Sequence, residues 1–133
     1  MTHKPILLLT VAQGAALLAQ ESPRLPADVQ LERDIAYAEP KNQRQMLDVY
    51  TPAVGRNLPL VVWVHGGGWR AGDKTEVASK PVAFTRKGLV FVAVNYRFVP
   101  NVTMDTIARD IAKSVRWVHD HVGLRGGDPN RFS

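Results

Sequence analysis

The stretch that decides the fold is LVVWVHGGGWRAGDKT, Leu60 to Thr75. Its apolar, β-branched run ends at His65, and three consecutive glycines follow before the chain becomes polar. Such a run is typical of a strand covered on both faces in a parallel sheet. Glycine allows sharp turns and leaves neighbouring backbone N–H groups unshielded. The stretch therefore predicts a buried strand whose carboxyl end opens into a tight loop.

A second apolar run, GLVFVAVNY at 88–96, has the same character and predicts a parallel neighbour. Parallel strands need a crossover, and residues 75–87 can supply a helix for it. Pro81 would divide this helix, with the second piece starting at Pro81 and stopping at Gly88. We expect the strand at 88–96 to lie at an open edge of the sheet.

Two segments before the glycine loop read as an antiparallel hairpin. They are VQLERDIAYAE at 29–39 and RQMLDVYTP at 44–52, where apolar and polar residues nearly alternate and Leu47 and Val49 share one face. Each segment ends at turn or proline signals.

The clearest helix is TMDTIARDIAKSVRWVHDH, residues 103–121, with Thr103 available as its N-cap. Its expected apolar face consists of Met104, Ile107, Ala108, Ile111, Val115 and Val118. A turn-rich loop is predicted for 123–133. This order of elements indicates an α/β fold with a mixed, mostly parallel sheet flanked by helices. Ligands in such sheets bind beyond the carboxyl ends of the strands, where the glycines stand.

Composition excludes several functions. The chain has 133 residues, 45% of them hydrophobic, which suits one globular domain. The net charge of +5 arises from scattered Lys and Arg without a basic tract, which argues against nucleic-acid binding. Cysteine is absent, so disulfides and thiolate nucleophiles are excluded. His119 and His121 fall on different faces of the predicted helix, so we expect no metal pair and no cofactor.

The N-terminus is typical of a signal peptide over 1–19, followed by a proline-containing linker over 20–30 and a domain over 31–133. Lys4 precedes an apolar stretch from Pro5 to Val11. The stretch is shorter than the roughly 20 apolar residues that span a bilayer, so stable membrane insertion is not expected. The pattern predicts a secreted or periplasmic protein beginning near Gln20, and an ordinary N-terminal helix is the alternative.

The glycines come close to matching two nucleotide-binding loop motifs. A phosphate loop fits Gly67, Gly72 and Lys74, but Asp73 is inserted before the lysine, where phosphate would lie. A dinucleotide loop would place the bulky Trp69 at its tight turn. A third loop type fits better, because amides aimed at a developing oxyanion need a sharp bend and no shielding side chains.

Four segments resemble the N-terminal half of an α/β-hydrolase of the esterase/lipase group with an HGGG motif, similar to secreted feruloyl and acetyl esterase-like members. They are LDVYTP, VVWVHGGGWRAGDK, VAVNYR and DPNRFS, and the resemblance covers about 30–133. It implies an oxyanion hole in which Gly67 and Gly68 donate backbone N–H groups and Gly66 shapes the turn. It also implies that His65 is a structural histidine held by loop hydrogen bonds.

Three further residues have supporting roles by the same resemblance. Trp69 is expected at the wall or floor of a pocket, with plain core packing as the alternative. Asp73 and Arg97 are expected to form an ion pair that steadies the loop. Asp110 is an equal candidate partner for Arg97, and solvated surface charges are the remaining alternative.

The sequence departs from the family at the nucleophile. No G-x-S-x-G elbow surrounds any of its four serines, Ser22, Ser79, Ser114 and Ser133. The resemblance implies truncation before the elbow, with nucleophile, acid and base beyond Ser133. The frame should then continue into a short apolar run and an elbow within about ten residues.

Two hypotheses follow. The chain is a fragment of a secreted serine carboxylic ester hydrolase, inactive alone, whose longer parent takes a small-molecule or polysaccharide-linked ester. Alternatively, it is a non-catalytic binding or structural product derived from the same fold. The acyl and alcohol groups are not set by these residues, because later loops would build their pockets.

Overall fold

A computed structural model describes residues 24–133, so the predicted signal peptide and the first part of the linker lie outside the described residues. The described part contains five strands, two α-helices and two short 3-10 turns, Gln43–Gln45 and Val122–Arg125. The longer elements are β1 Val29–Ala36, β2 Met46–Pro52, β3 Leu58–Val64, α1 Lys80–Arg86, β4 Val90–Val94, α2 Met104–His121 and β5 Gly127–Phe132. Neither described α-helix has the length and apolar character needed to cross a membrane.

The strands form one mixed sheet in the order β1-β2-β4-β3-β5. The predicted hairpin is confirmed, because β1 pairs antiparallel with β2. The predicted parallel pair is also confirmed, since β3 runs parallel to β4, and β5 runs parallel to β3 on its other side. β2 pairs antiparallel with β4.

The expectation that the second apolar run lies at an open edge is wrong. β4 is central, between β2 and β3, and each of its five residues is at most 1% exposed. A strand that is apolar on both faces is most stable where neighbours cover it on every side. Among the described strands, the edge strand beside β3 is β5, which pairs with β3 alone.

The core has two layers, one on each face of the sheet. On one face Val92 and Val94 of β4 pack with Leu47 and with Val118 of α2. On the other face Phe91 packs with Tyr50 of β2 and Phe84 of α1. The helices therefore cover opposite faces, which is the predicted α/β arrangement.

The crossover is less helical than predicted. α1 begins at Lys80, with Pro81 in its first turn, and the backbone from Thr75 to Ser79 forms turns. Ala78 has a φ of 49°, which an α-helix does not accommodate. The second of the two predicted pieces is thus the only one that forms a helix.

α2 is confirmed together with its cap, because the Thr103 side chain accepts a hydrogen bond from the Thr106 N–H. Its predicted apolar face is partly wrong: Met104 is 49% and Val115 37% exposed. The face turned to the sheet instead includes the polar residues Asp110 and Ser114, both fully buried. Asp110 is buried there because Arg97 and Gln45 bind its carboxylate.

The predicted final loop is also partly wrong. Gly127 to Phe132 belong to β5, and the Ser133 N–H donates to the Leu60 carbonyl at 2.9 Å. Only the 3-10 turn and Gly126 separate α2 from this strand.

Candidate active site

The glycine loop lies at the carboxyl end of β3, beside the end of β4. The parallel register places Val64 opposite Val94, so His65 and Asn95 leave the sheet at the same edge. This edge is where the sequence predicted a ligand site.

Gly67 makes the sharp bend in the loop. Its φ is 122°, its carbonyl accepts hydrogen bonds from the N–H groups of Arg70 and Ala71, and a Cβ there would collide with the Ala71 carbonyl. Gly66 has no positive φ, and a Cβ there would meet nothing within 4 Å. The turn-shaping role expected of Gly66 therefore falls to Gly67, because of these two glycines Gly67 is the one whose conformation and surroundings exclude a side chain. Gly72, with a φ of 100°, is restricted in the same way at the end of the loop.

The N–H groups of Gly67 and Gly68 donate to no acceptor among residues 24–133. Gly68 has a φ of 62° and lines a shallow depression of about 210 Å³. The remaining lining residues are His65, Gly66, Trp69 and Tyr96. Both glycine residues are exposed, and of the two Gly68 lines the depression while Gly67 lies beside it in the chain.

Trp69 forms one wall of the depression. Its ring lies 5.5 Å from that of Tyr96, and 41% of the residue is exposed. The Val99 N–H donates to the Trp69 carbonyl at 3.1 Å and ties the loop to the segment after β4. Within the described residues, Trp69 therefore lines the depression and is not part of either core layer.

His65 is buried, and both nitrogens of its ring have a hydrogen-bond partner. Nδ1 lies 2.7 Å from the Gly66 carbonyl oxygen, and Nε2 lies 3.2 Å from Nη2 of Arg44. The ring stacks on Tyr96 with centroids 4.5 Å apart, and the Tyr96 hydroxyl donates to the His65 carbonyl. No serine hydroxyl or carboxylate of the described residues bonds to this ring.

Asp73 ends the loop and pairs with Arg44, at 3.1 Å. Its carboxylate also accepts hydrogen bonds from Thr75 and from Asn95. Partial burial alone would raise the pKa of Asp73, but these hydrogen bonds and the nearby Lys74 charge outweigh it and hold the pKa below its usual range. The carboxylate therefore stays ionised.

The expected pair between Asp73 and Arg97 is wrong, and the alternative partner Asp110 takes its place. Arg97 binds Asp110 through two parallel hydrogen bonds of 2.8 and 2.7 Å. Asp110 is fully buried, so these are not solvated surface charges. Burial would raise the pKa of Asp110, but the bonds from Arg97 outweigh it and lower that pKa.

Lys74 was missed as a structural residue. Its Nζ lies 2.6 Å from Asp48 and 2.7 Å from Asp34, and only 6% of its side chain is exposed. Burial would lower the pKa of Lys74, but hydrogen bonds to the two carboxylates raise it. A lysine held this way does not reach the loop surface, which removes the phosphate-loop interpretation.

Sequence reasoning also missed Arg44, Asn95 and Tyr96. Asn95 accepts from the Lys74 N–H and donates to Asp73, so it fixes the end of the loop. Asn95 and Tyr96 directly follow the apolar run of β4, and this position at the end of a strand could have identified them as candidates. Arg44 gave no such signal, because it comes from the distant connection between β1 and β2.

Within residues 24–133, the serines before and within the helices and the two histidines other than His65 lie outside the glycine loop. Ser114 donates to the Ile111 carbonyl within α2, and Ser79 precedes α1. Nδ1 of His119 lies 3.1 Å from Asp120, and that of His121 lies 2.7 Å from the Trp117 carbonyl. Within residues 24–133 no three metal-ligating side chains come together.

Three comparisons with known proteins show the family and the fold of this chain. A family model described as BD-FAE matches residues 47–133. A probable isoprenylcysteine alpha-carbonyl methylesterase of Arabidopsis thaliana is 32% identical over 105 residues, which cover 77% of this chain and 24% of that protein. A carboxylesterase of Mycobacterium tuberculosis is 38% identical over 88 residues, 64% of this chain and 27% of its own length.

Among solved structures, esterase B from Lactobacillus rhamnosis, inhibited by a tributyrin phosphonate, superposes with a TM-score of 0.70. Its sequence is 32% identical, and the match covers 79% of this chain and 35% of that chain. This chain thus spans about a quarter of the length of the curated relatives it matches.

Proposed function

Since the chain belongs to the BD-FAE family and has the α/β-hydrolase fold of the esterases, we propose that its glycine loop is the oxyanion hole of a serine carboxylic ester hydrolase. The observation that carries the proposal is the pair of free amides, Gly67 and Gly68, on a bend at the carboxyl end of β3. Two of the relatives are named as a methylesterase and a carboxylesterase, which supports a carboxylic ester as the proposed substrate class.

In this proposal a serine oxygen adds to the ester carbonyl carbon while its proton passes to the base that is proposed to follow Ser133. The π bond of the carbonyl breaks, and the carbonyl oxygen becomes an oxyanion. The Gly67 and Gly68 N–H groups donate to that oxygen. Donors that are already oriented stabilise the developing charge without reorganising during the reaction. His65 takes no proton in this scheme, since its ring atoms are bound within the loop and to Arg44.

The nucleophile, acid and base are proposed to follow Ser133 in a longer protein. β5 lies beside β3 and runs parallel to it, and its last residue, Phe132, lies opposite Leu60. If the strand continues past Ser133 by about five residues, a typical strand length, its carboxyl end would stand next to the glycine loop. A G-x-S-x-G elbow soon after Ser133 would therefore bring its serine to the oxyanion donors. We also propose that the protein is secreted, on the pattern of residues 1–19.

The experiment compares two glycines of matched geometry in the longer protein. Gly68 and Gly88 have φ values of 62° and 79°, and a Cβ at either would meet nothing within 4 Å. Gly68→Val should shield or turn the donor and lower kcat by on the order of 10² to 10³, as loss of one oxyanion donor does. Gly88→Val carries the same backbone strain after α1 and should lose stability with kcat near wild type.

Near-wild-type kcat for Gly68→Val would remove the oxyanion assignment. A reading frame that continues without an elbow, or a longer protein without esterase activity, would favour the non-catalytic binding or structural alternative. Sequencing the N-terminus of exported protein tests secretion separately, with a start near Gln20 expected and Met1 contradicting it.

A further inference from the structure

One side chain outside the glycine loop joins its beginning, its end and the segment after β4. Arg44 lies in the 3-10 turn between β1 and β2, and its side chain is 26% exposed. Nη2 lies 3.2 Å from His65 Nε2 at the start of the loop, and Nη1 lies 3.1 Å from Asp73 at the end. Nε donates to the Tyr96 carbonyl at 3.1 Å.

The flat face of the same guanidinium lies on an aromatic ring. Cζ of Arg44 is 4.0 Å from the centroid of Phe98. Three donor directions and the stacked face fix the group in one orientation. Arg44 therefore presents Nη2 to His65 in a defined geometry.

This contact determines where His65 carries its proton. A guanidinium has only donors, so the His65 Nε2 that faces it is an unprotonated acceptor. The ring proton then lies on Nδ1, which donates to the Gly66 carbonyl at 2.7 Å. Arg44 and the Gly66 carbonyl thus select the same neutral tautomer from opposite sides of the ring.

The Gly66 carbonyl controls the next amide. A trans peptide is planar, and its C=O and N–H point in opposite directions. With the Gly66 oxygen held on His65, the Gly67 N–H points away from the histidine. A hydrogen bond at one end of the peptide plane thereby aims the donor at the other end.

We propose that Arg44 is a positioning residue for the oxyanion hole. By donating to His65 Nε2 it selects the Nδ1–H tautomer, which anchors the Gly66 carbonyl and orients the Gly67 N–H. This inference rests on the proposed function of the loop, whereas the linkage from Arg44 to the Gly67 amide exists whatever the loop binds.

The first experiment tests the linkage in the 133-residue chain. Histidine ¹⁵N shifts and two-bond ¹H–¹⁵N correlations report the tautomer of His65, and the Gly67 amide resonance reports its orientation. Wild type should show Nδ1–H alone. Arg44→Met should give a mixed population and move the Gly67 resonance, and Arg44→Lys, which retains a charged donor, should lie between them.

The chain offers a matched control at the other end of the sheet. Arg125 is 21% exposed, binds Glu32 at 2.7 Å and lies 5.1 Å from the Trp117 ring. Arg125→Met should leave both His65 and Gly67 signals unchanged. Wild-type signals in Arg44→Met would overturn the proposal. If that variant does not fold, wild-type signals in Arg44→Lys overturn it equally.

The second experiment measures the consequence in the longer, nucleophile-containing protein, with active sites counted by a stoichiometric phosphonate. Arg44→Met should lower kcat per active site about tenfold to a hundredfold with KM changed little, since a donor misplaced by about 1 Å has costs of this size. Arg125→Met should keep kcat.

Loss of active sites with unchanged kcat would mean that Arg44 acts on folding only, and would overturn the positioning role. Absence of esterase activity in the wild-type longer protein would instead refute the proposed function. The NMR result would still decide the linkage.

Discussion

The two ends of the sheet hold ion pairs of nearly the same length in very different surroundings. At the glycine-loop end, Lys74 lies 2.6 Å from Asp48, and the two side chains are 6% and 0% exposed. At the opposite end, Arg125 lies 2.7 Å from Glu32, whose side chain is 53% exposed. Water screens the second pair much more than the first, so equal distances do not mean equal contributions.

The difference in burial reflects the segment that each end of the sheet supports. The loop at 65–73 contains four glycines, Gly66, Gly67, Gly68 and Gly72, and glycine loses the most conformational freedom on folding. Part-buried bonds from Arg44 and Asn95 hold Asp73 at the end of this loop, and the buried pair of Lys74 with Asp48 fixes the residue that follows it. The other end carries ordinary surface turns, among which Val54 and Leu124 are 84% and 90% exposed.

The largest effect on stability is expected from breaking the buried pair. Lys74→Met leaves the Asp48 carboxylate fully buried, with Oδ2 already lacking a partner among the described residues. Removing one partner of a buried ion pair costs about 3–5 kcal/mol. Urea unfolding of the chain should show a loss of this size.

A double variant separates charge burial from packing. Adding Asp48→Leu to Lys74→Met removes the stranded carboxylate and should recover part of the lost stability, since an apolar replacement of a buried pair is often tolerated. Arg109→Ala, in the exposed pair with Asp105, serves as the surface control and should leave the unfolding midpoint unchanged. A loss for Lys74→Met no larger than that of this control would erase the contrast between the buried and exposed pairs.

An intermediate and pH-dependent effect is expected at Asp110. Its lowered pKa means that the ionised carboxylate stabilises the fold above its unfolded pKa of about 3.9, and that this contribution disappears as pH falls toward the folded value. Asp110→Asn should therefore be less stable than wild type near pH 7, and the gap should shrink below about pH 4. Unfolding curves between pH 7 and pH 2 test this. A gap that is constant with pH would show that the charge of Asp110 contributes nothing.

The smallest effect is expected at the opposite end of the sheet. Glu32→Gln weakens the pair with Arg125, which is worth at most about 1 kcal/mol at such an exposed site. High salt should reduce even this difference. If Glu32→Gln destabilises the chain as much as Lys74→Met does, exposure is not what separates the two ends.

Patterns local in sequence predicted the hairpin, the parallel pair and α2 with its Thr103 cap correctly. They placed β4 at an edge and gave α2 too apolar a face, because strand order and the burial of Asp110 depend on partners far along the chain. The pairing of β2 with β4 and of Arg97 with Asp110 is tertiary, and alternation or helical spacing does not encode it.

In the candidate site, too, local features were predictable from the sequence and long-range contacts were not. The loop with His65 and its glycines is one contiguous motif, so its resemblance to a family was visible in the sequence. Arg44 reaches the loop from a turn 21 residues before His65. Lys74 stood in the motif, yet its carboxylate partners lie in other strands, the exposed Asp34 in β1 and the buried Asp48 in β2. Charged residues that support a loop from other strands leave no local pattern.

The most direct test of the oxyanion assignment is a crystal structure of the longer protein with a phosphonate ester bound covalently to its nucleophile. The phosphonyl oxygen then stands where the carbonyl oxygen of the tetrahedral intermediate would be. We expect this oxygen to lie about 2.7–3.1 Å from the backbone nitrogens of Gly67 and Gly68, with the loop unchanged. A phosphonyl oxygen held by other donors, with both glycine amides turned to solvent, would contradict it.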